Sequence, residues 1–393
     1  MEFTLSVLLV IVLALFFDFT NGFHDTANAM ATPIATGALK PRAAVAIAAC
    51  LNLVGAFLST EVAQTISGGI IREGTAGVQI TPALIFAGLV GAVLWNMVTW
   101  LFGLPSSSSH ALFGGLIGAA IVGVGLGSVD FGVLLSKVVL PAVLAPLTAA
   151  VVAFLATRLA YVITRRHDGR KDGRGRFRYA QIASSSLVAL AHGTNDAQKT
   201  MGVITLTLIA AGSLSAGSRP PIWVIIACAL AIAIGTYSGG SRIIKTLGSG
   251  LTDVKPAQGY SAEVSTAATI LASTHLGFAL STTQVASGSV IGSGLGRRGS
   301  IVRWGTVGRI TLGWVLTLPA SAVVGAIAAL LATLGGAGIV IDALAAVAVI
   351  VLVFVLARRS QVTLTDAVNE VADSGHAIEI KGRRKRARQG AKK

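Results

Sequence analysis

Apolar residues fall in long blocks along this chain, not in the alternating pattern of a half-buried strand. The blocks run roughly over 3–19, 27–39, 43–60, 82–103, 110–127, 131–164, 180–192, 200–212, 222–238, 262–280, 284–295, 305–333 and 338–357. Several approach the ~20 residues that a helix needs to cross a bilayer. Others are too short, or are interrupted by clusters of Gly, Pro and Ser. A break at membrane depth survives only where it is buried in protein or lines a wet cavity. The pattern predicts an all-α polytopic membrane protein of about 10–12 transmembrane helices, some of them broken or re-entrant half-helices.

Composition agrees. Of 393 residues, 53% are hydrophobic and 12% charged, and the mean hydropathy is +0.78. A soluble domain carries about 25% charge, so an ordinary soluble enzyme is excluded. The 46 glycines suit close helix packing in membranes. Cys50 and Cys228 lie inside apolar blocks and form neither a disulfide framework nor a metal cluster. The N-terminus has no basic leader region and reads as a retained first helix.

The net charge of +15 is concentrated. Arg165–Arg178 holds seven Lys/Arg and two Asp, and Arg358–Lys393 holds ten Lys/Arg and four Asp/Glu. Basic segments beside apolar helices mark the cytoplasmic face, and the tail is also suited to anionic lipid. Nucleic acid is not an expected partner. The chain divides into a first transmembrane repeat (1–164), a basic cytoplasmic linker (165–179), a second repeat (180–358) and a basic C-terminal tail (359–393). An N-terminus outside and a linker inside require an odd number of crossings in the first half. A tail inside requires an even number in the second, so an extra terminal helix or a re-entrant segment is expected there.

The halves resemble each other. Gly22-Phe-His-Asp-Thr-Ala-Asn-Ala-Met interrupts an apolar region of the first, and His192-Gly-Thr-Asn-Asp-Ala-Gln-Lys-Thr-Met does so in the second. Aligning Asp25 with Asp196 gives an offset of 171 residues, and aligning Ser107 with Ser281 gives 174. Two unrelated polar motifs in the same order at nearly the same offset imply an internal duplication. Matching interrupted segments in two repeats point to a central transport site.

Asp25 and Asp196 are candidates to bind a coupling cation or proton, because a carboxylate within a membrane segment is costly unless it has a task. Asn28, three residues after Asp25, shares a helix face with it. Lys199 has the same spacing from Asp196, where it could pair with the carboxylate or attract an anion. Ser106–His110 and Ser281–Gln284 each precede an apolar helix. One hydroxyl caps a helix; three or four beside unpaired N–H groups and a positive dipole end suit a small tetrahedral oxyanion. His24, His110 and His192 adjoin these motifs and are candidates for a proton relay or substrate contact. Asp18, Glu61 and Glu263 are weaker candidates, each assignable to a helix terminus. Ser109 and His110 are adjacent, but no nucleophile pattern supports a hydrolase.

These motifs resemble those of the inorganic phosphate transporter (PiT) family of secondary transporters, bacterial low-affinity branch. Asn21-Gly-Phe-His-Asp-Thr-Ala-Asn-Ala, Leu104-Pro-Ser-Ser-Ser-Ser-His, His192-Gly-Thr-Asn-Asp-Ala-Gln-Lys and Ser281-Thr-Thr-Gln carry the resemblance, which spans nearly the whole chain. It implies inverted repeats around a midplane site and import of phosphate by cation symport. The branch is usually described as proton-linked and as accepting metal–phosphate complexes. The family's Asn-Asp-x-x-Asn pattern falls on His24, Asp25 and Asn28, then on Asn195, Asp196 and Lys199. Its Ser-Thr-Thr-His pattern falls on Ser107, Ser108, Ser109 and His110, then on Ser281, Thr282, Thr283 and Gln284. His24, Lys199 and Gln284 depart from it. Imidazole and ammonium groups in place of neutral ligands favour H+ over Na+, since hard cations take oxygen ligands.

The substrate-binding candidates are therefore Asn28, Ser107, Ser108, Ser109, His110, Asn195, Lys199, Ser281, Thr282, Thr283 and Gln284, with Asp25, Asp196 and His24 for the coupling ion. No cofactor is expected beyond co-transported H+ or Na+, and the metal assignment is left open. The expected location is the cell inner (plasma) membrane as a multi-pass protein, with a homo-oligomer permitted by spacings such as Gly114 to Gly118. A sulfate permease or a Na+-coupled phosphate symporter on the same scaffold are alternatives, as is a membrane receptor that transports nothing.

Overall fold

The computed structural model describes residues 4–72, 79–163 and 173–359. In chain order the first half holds α1 (Leu5–Ala35), α2 (Pro41–Gly55), α3 (Glu61–Thr65) with a π-helical turn at Ile66–Ile70, α4 (Pro82–Leu101), α5 (Ser108–Gly123), α6 (Phe131–Leu134) with a second π-turn at Leu135–Val139, and α7 (Leu140–Ile163). The second holds α8 (Gly173–Ala210), α9 (Ile222–Ser238), α10 (Ser241–Ser249), α11 (Pro256–His275), α12 (Thr282–Gly296), α13 (Trp304–Ala332) and α14 (Gly336–Arg359). Among the described residues there is no strand, only two isolated β-bridges, Ile71 with Val129 and Thr252 with Val302. The tail beyond Arg359 and most of the expected linker lie outside the described residues; the last part of that linker, from Gly173, is already helix.

Local signals start the helices where the sequence places them. Pro41, Pro82 and Pro256 stand at first helical positions, where a missing N–H costs nothing. Thr81 caps α4 by accepting from Leu84 N at 3.3 Å. Among the described residues, five helices are long and apolar enough to cross a membrane, and α9 with α10, bent by 71°, makes a sixth candidate. The membrane-facing surface is built from α7, α13 and α14, whose Leu147, Leu155, Leu312, Val323, Val347 and Val351 are exposed.

The repeats interlock. α4 and α11, α5 and α12, and α7 and α13 are equivalent pairs, and each of the last two pairs exchanges partners. A Cβ at Gly118 of α5 would lie 2.0 Å from Ala322 O of α13; a Cβ at Gly292 of α12 would lie 2.0 Å from Ala150 O of α7. The Gly114–Gly118 spacing thus serves an internal contact. α1 likewise packs on α9 through Gly22 and Gly235, and α2 on α8 through Gly55 and Gly193. α4 and α5 form an antiparallel hairpin, as do α11 and α12, with the hydroxyl clusters at the bends.

One expectation changes. The aspartate motifs do not interrupt helices, for α1 and α8 run unbroken through Gly22–Met30 and His192–Met201. The polar side chains there reach their own helix, each other's helix and the surrounding α2, α3, α11 and α12, so the backbone ladder need not open. α1 from residue 20 to 34 and α8 from 191 to 208 are buried throughout, which puts this antiparallel pair at the centre of the molecule.

Candidate functional site

The N-termini of α5 and α12 face the α1–α8 pair from the two repeats. Ser107 Oγ accepts from His110 N at 3.2 Å and Ser281 Oγ from Gln284 N at 3.3 Å, so one hydroxyl of each cluster is used as a cap. The next two of each cluster turn inward. Ser108 Oγ donates to Asp25 Oδ2 at 3.2 Å and Thr283 Oγ1 to Asp25 Oδ1 at 3.1 Å. Thr282 Oγ1 donates to Asp196 Oδ2 at 3.1 Å, and Ser109 Oγ to Leu280 O at 3.0 Å. Asn28 Nδ2 reaches Thr283 Oγ1 at 3.1 Å and Thr282 Oγ1 at 3.4 Å. The contacts from Thr283, Ser109 and Asn28 cross between repeats, so neither repeat could hold the site alone.

Basic groups flank both carboxylates. His24 Nδ1 lies 2.6 Å from Asp25 Oδ1 and Lys199 Nζ 2.6 Å from Asp196 Oδ1. Lys199 therefore pairs with its own helix neighbour. His192 Nε2 stands between the acids, 3.1 Å from Asp196 Oδ2 and 3.9 Å from Asp25 Oδ2. Asn21 Nδ2 donates to Asp196 Oδ2 at 3.3 Å. One ligand atom each from Asp25, His192 and Asp196 lies within 4.8 Å of the others, a spacing at which protons or one small cation can be shared. With both histidines neutral the two acids and Lys199 sum to one negative charge.

His110 Nδ1 and Gln284 Nε2, equivalent in the repeats, meet at 3.4 Å. Asn195 Nδ2 donates to Thr274 Oγ1 of α11 at 2.8 Å. Asn28 Oδ1, Asn195 Oδ1, Gln284 Oε1 and His24 Nε2 have no hydrogen-bond partner among the described residues. All the named side chains are at most 7% exposed, so the site is closed on both sides.

The sequence model of the phosphate transporter family matches residues 21–325. The chain belongs to the phosphate transporter family. It is 58% identical over 321 residues to a "probable low-affinity inorganic phosphate transporter" of Mycobacterium bovis, spanning 81% of this chain and 76% of that one. A protein of the same name from Mycobacterium leprae is 54% identical over 91% of this chain and 86% of its own. One from Bacillus subtilis is 42% identical over 82% and 95%. A solved structure titled "The sodium-dependent phosphate transporter" superposes with a TM-score of 0.76, covering 84% of this chain and all of that one, at 24% identity; it is alike in fold. This family member is thus a multi-pass membrane transporter and not an enzyme.

For this transporter the structure brings together Asp25, Asp196, His24, His192, Asn28, Lys199, Ser108, Ser109, Thr282 and Thr283, with Ser107 and Ser281 as caps, His110 and Gln284 in contact with each other, and Asn195 bonded to α11. Asn21 and Asn52 join them. Asn52 Oδ1 meets His192 Nδ1 at 3.2 Å, and Asn52 Nδ2 is anchored on Thr236 Oγ1 at 2.7 Å. The 171-residue offset maps Asn21 onto His192, already a candidate, a signal that could have selected Asn21 too. Asn52 left no signal, since it lies alone in an apolar block. Asp18 and Glu263 are not at helix termini but buried within α1 and α11, whereas Glu61 does begin α3. Glu263 accepts from Thr32 Oγ1 at 2.6 Å, Gln181 Nε2 at 3.0 Å and the Ser184 hydroxyl, a fully satisfied carboxylate between α1, α8 and α11.

Proposed function

We propose that the protein imports inorganic phosphate across the cell's inner membrane by symport with protons, Asp25 and Asp196 carrying the coupling and the hydroxyl clusters binding the anion. One observation carries the reading: the hydroxyls suited to an oxyanion are at present donated to the two carboxylates. A hydroxyl has one proton to donate, so Ser108, Thr282 and Thr283 cannot serve a carboxylate and a phosphate at once. While the acids are ionised they hold these donors and repel the anion. Proton uptake removes the repulsion and releases the donors, so phosphate and proton load together. Rocking of one repeat against the other then exposes the site on the opposite face.

Proton rather than sodium coupling is supported by the company the acids keep. Lys199 and His24 already occupy one face of each carboxylate, and an ammonium works against a second cation beside it. Phosphate over sulfate is favoured by the unpartnered acceptors Asn28 Oδ1 and Gln284 Oε1, because phosphate at neutral pH carries an O–H to donate and sulfate has none. A divalent metal accompanying the anion is compatible with the extra carboxylate charge. The experiment uses purified protein in vesicles and labelled phosphate, with proton and sodium gradients imposed separately. We expect accumulation driven by an inward proton gradient and resistant to excess sulfate. Accumulation driven by sodium alone would move the reading to the sodium symporter; displacement by sulfate would move it to a sulfate permease.

A further inference from the structure

The α1–α8 seam continues past the site. Asp25 meets His192, Asn21 meets Asp196, and one rung nearer the start of α1, Asp18 comes beside Thr200. Asp18 is 0% exposed. Neither of its oxygens accepts a well-formed hydrogen bond, and Thr200 Oγ1, the one hydroxyl beside it, has no other partner. The ionisable groups around it are Asp196, His192 and Lys199 of α8 and the buried thiol of Cys228 on α9. α4, which also packs on α1, carries no titratable side chain. The contrast with Glu263, whose oxygens accept three hydrogen bonds, is complete.

A bare carboxylate out of reach of water cannot stay ionised cheaply; it holds a proton or a cation. Two carboxylate oxygens and one hydroxyl are too few for a hard cation, which takes roughly six. A proton needs one. Asp18 and Asn21 share a face of α1, and Asn21 touches Asp196. The second repeat has Ala189 where the first has Asp18, so this acid exists on one side of the site only. It also lies outside the stretch matched to the family, which begins at residue 21.

We propose that Asp18 is a third proton-carrying carboxyl of this transporter, loading from the compartment at the N-terminal end of α1 and exchanging its proton with the Asp25–Asp196 centre. In the transfer the Asp18 O–H bond breaks as an O–H bond forms on Asp196. The Asp18 carboxylate then regains a proton from water when that side opens. The inference rests on the proton-coupled reading above.

Two rates in vesicles separate them: accumulation driven by a pH gradient, and phosphate–phosphate exchange with no gradient. Asp18→Asn, which keeps the shape and removes the titrating group, is expected to lower accumulation at least tenfold and leave exchange within about twofold of wild type. Asp18→Glu is expected to retain both and to shift the pH midpoint of uptake. Wild-type accumulation by Asp18→Asn overturns the proposal. Equal loss of exchange and accumulation in Asp18→Asn, with Asp18→Glu unshifted or unfolded, assigns a packing role and also overturns it. A wild-type protein indifferent to the pH gradient removes the coupling reading itself, and that result is independent of any Asp18 variant.

Discussion

Asp25 and Asp196 each accept hydroxyls and each carry a basic neighbour, yet they are not equivalent. Asp25 has His24 and two hydroxyls; Asp196 has Lys199, His192, Asn21 and one hydroxyl. Two of the substitutions that break the repeat symmetry, His24 and Lys199, therefore fall where charge is balanced, and the third, Gln284, meets His110. Asp25→Asn and Asp196→Asn are each expected to abolish uptake while membrane-inserted protein stays at the wild-type level, measured by uptake and quantitative blotting of the same vesicles. Removing one donor to a charged oxyanion costs about 1.5–3 kcal/mol, about tenfold or more in affinity. Ser108→Ala and Thr282→Ala are accordingly expected to raise the Michaelis constant for phosphate about tenfold, read from the concentration dependence of initial uptake. At this scale the paired acids and hydroxyls were legible, because duplicated motifs reveal themselves. The bridging place of His192 and the support from Asn52 were not, because they depend on which helix faces which.

Among the elements, the half-helices α5 and α12 follow directly from Ser107 and Ser281, caps followed by glycine-rich apolar runs. The long helices α1 and α8 do not follow so directly, since polar motifs read as breaks. They stay helical because a polar side chain can point away from the helix and meet neighbouring elements, as Asn28 does with Thr283 and Asn195 with Thr274, without opening the backbone ladder. Glycine decides how close the elements come. A Cβ at Gly118 or Gly292 would meet backbone oxygen at 2.0 Å, whereas one at Gly308 of α13 meets nothing within 4 Å. Overpacking of this kind costs about 1–3 kcal/mol. Gly118→Ala and Gly292→Ala are expected to lower the thermal midpoint in detergent by similar amounts, and Gly308→Ala to leave it unchanged. A midpoint lowered in only one of the first two would show that the exchanged contacts are not equivalent.

For the molecule as a whole, exchange of α5 and α12 between the repeats makes the site a joint product of both halves. The burial pattern gives a simple check on this arrangement: Cys50 is exposed and Cys228 buried. A membrane-permeant maleimide is expected to leave Cys228 unmodified in the folded protein and to reach it only after denaturation, as counted by intact mass. The sequence by itself determined the membrane class, the duplication, and the acids and hydroxyls that come together at the centre of the molecule. Hydropathy, offset and residue chemistry are properties of the chain read in order. Only the tertiary structure decided that the repeats exchange partners, that Lys199 faces Asp196, and that His192 stands between two acids. It also decided that Asp18 is left bare while Glu263 is fully bonded. Those outcomes depend on which helix faces meet and which rotamers that packing allows, and no pattern read along the chain encodes them.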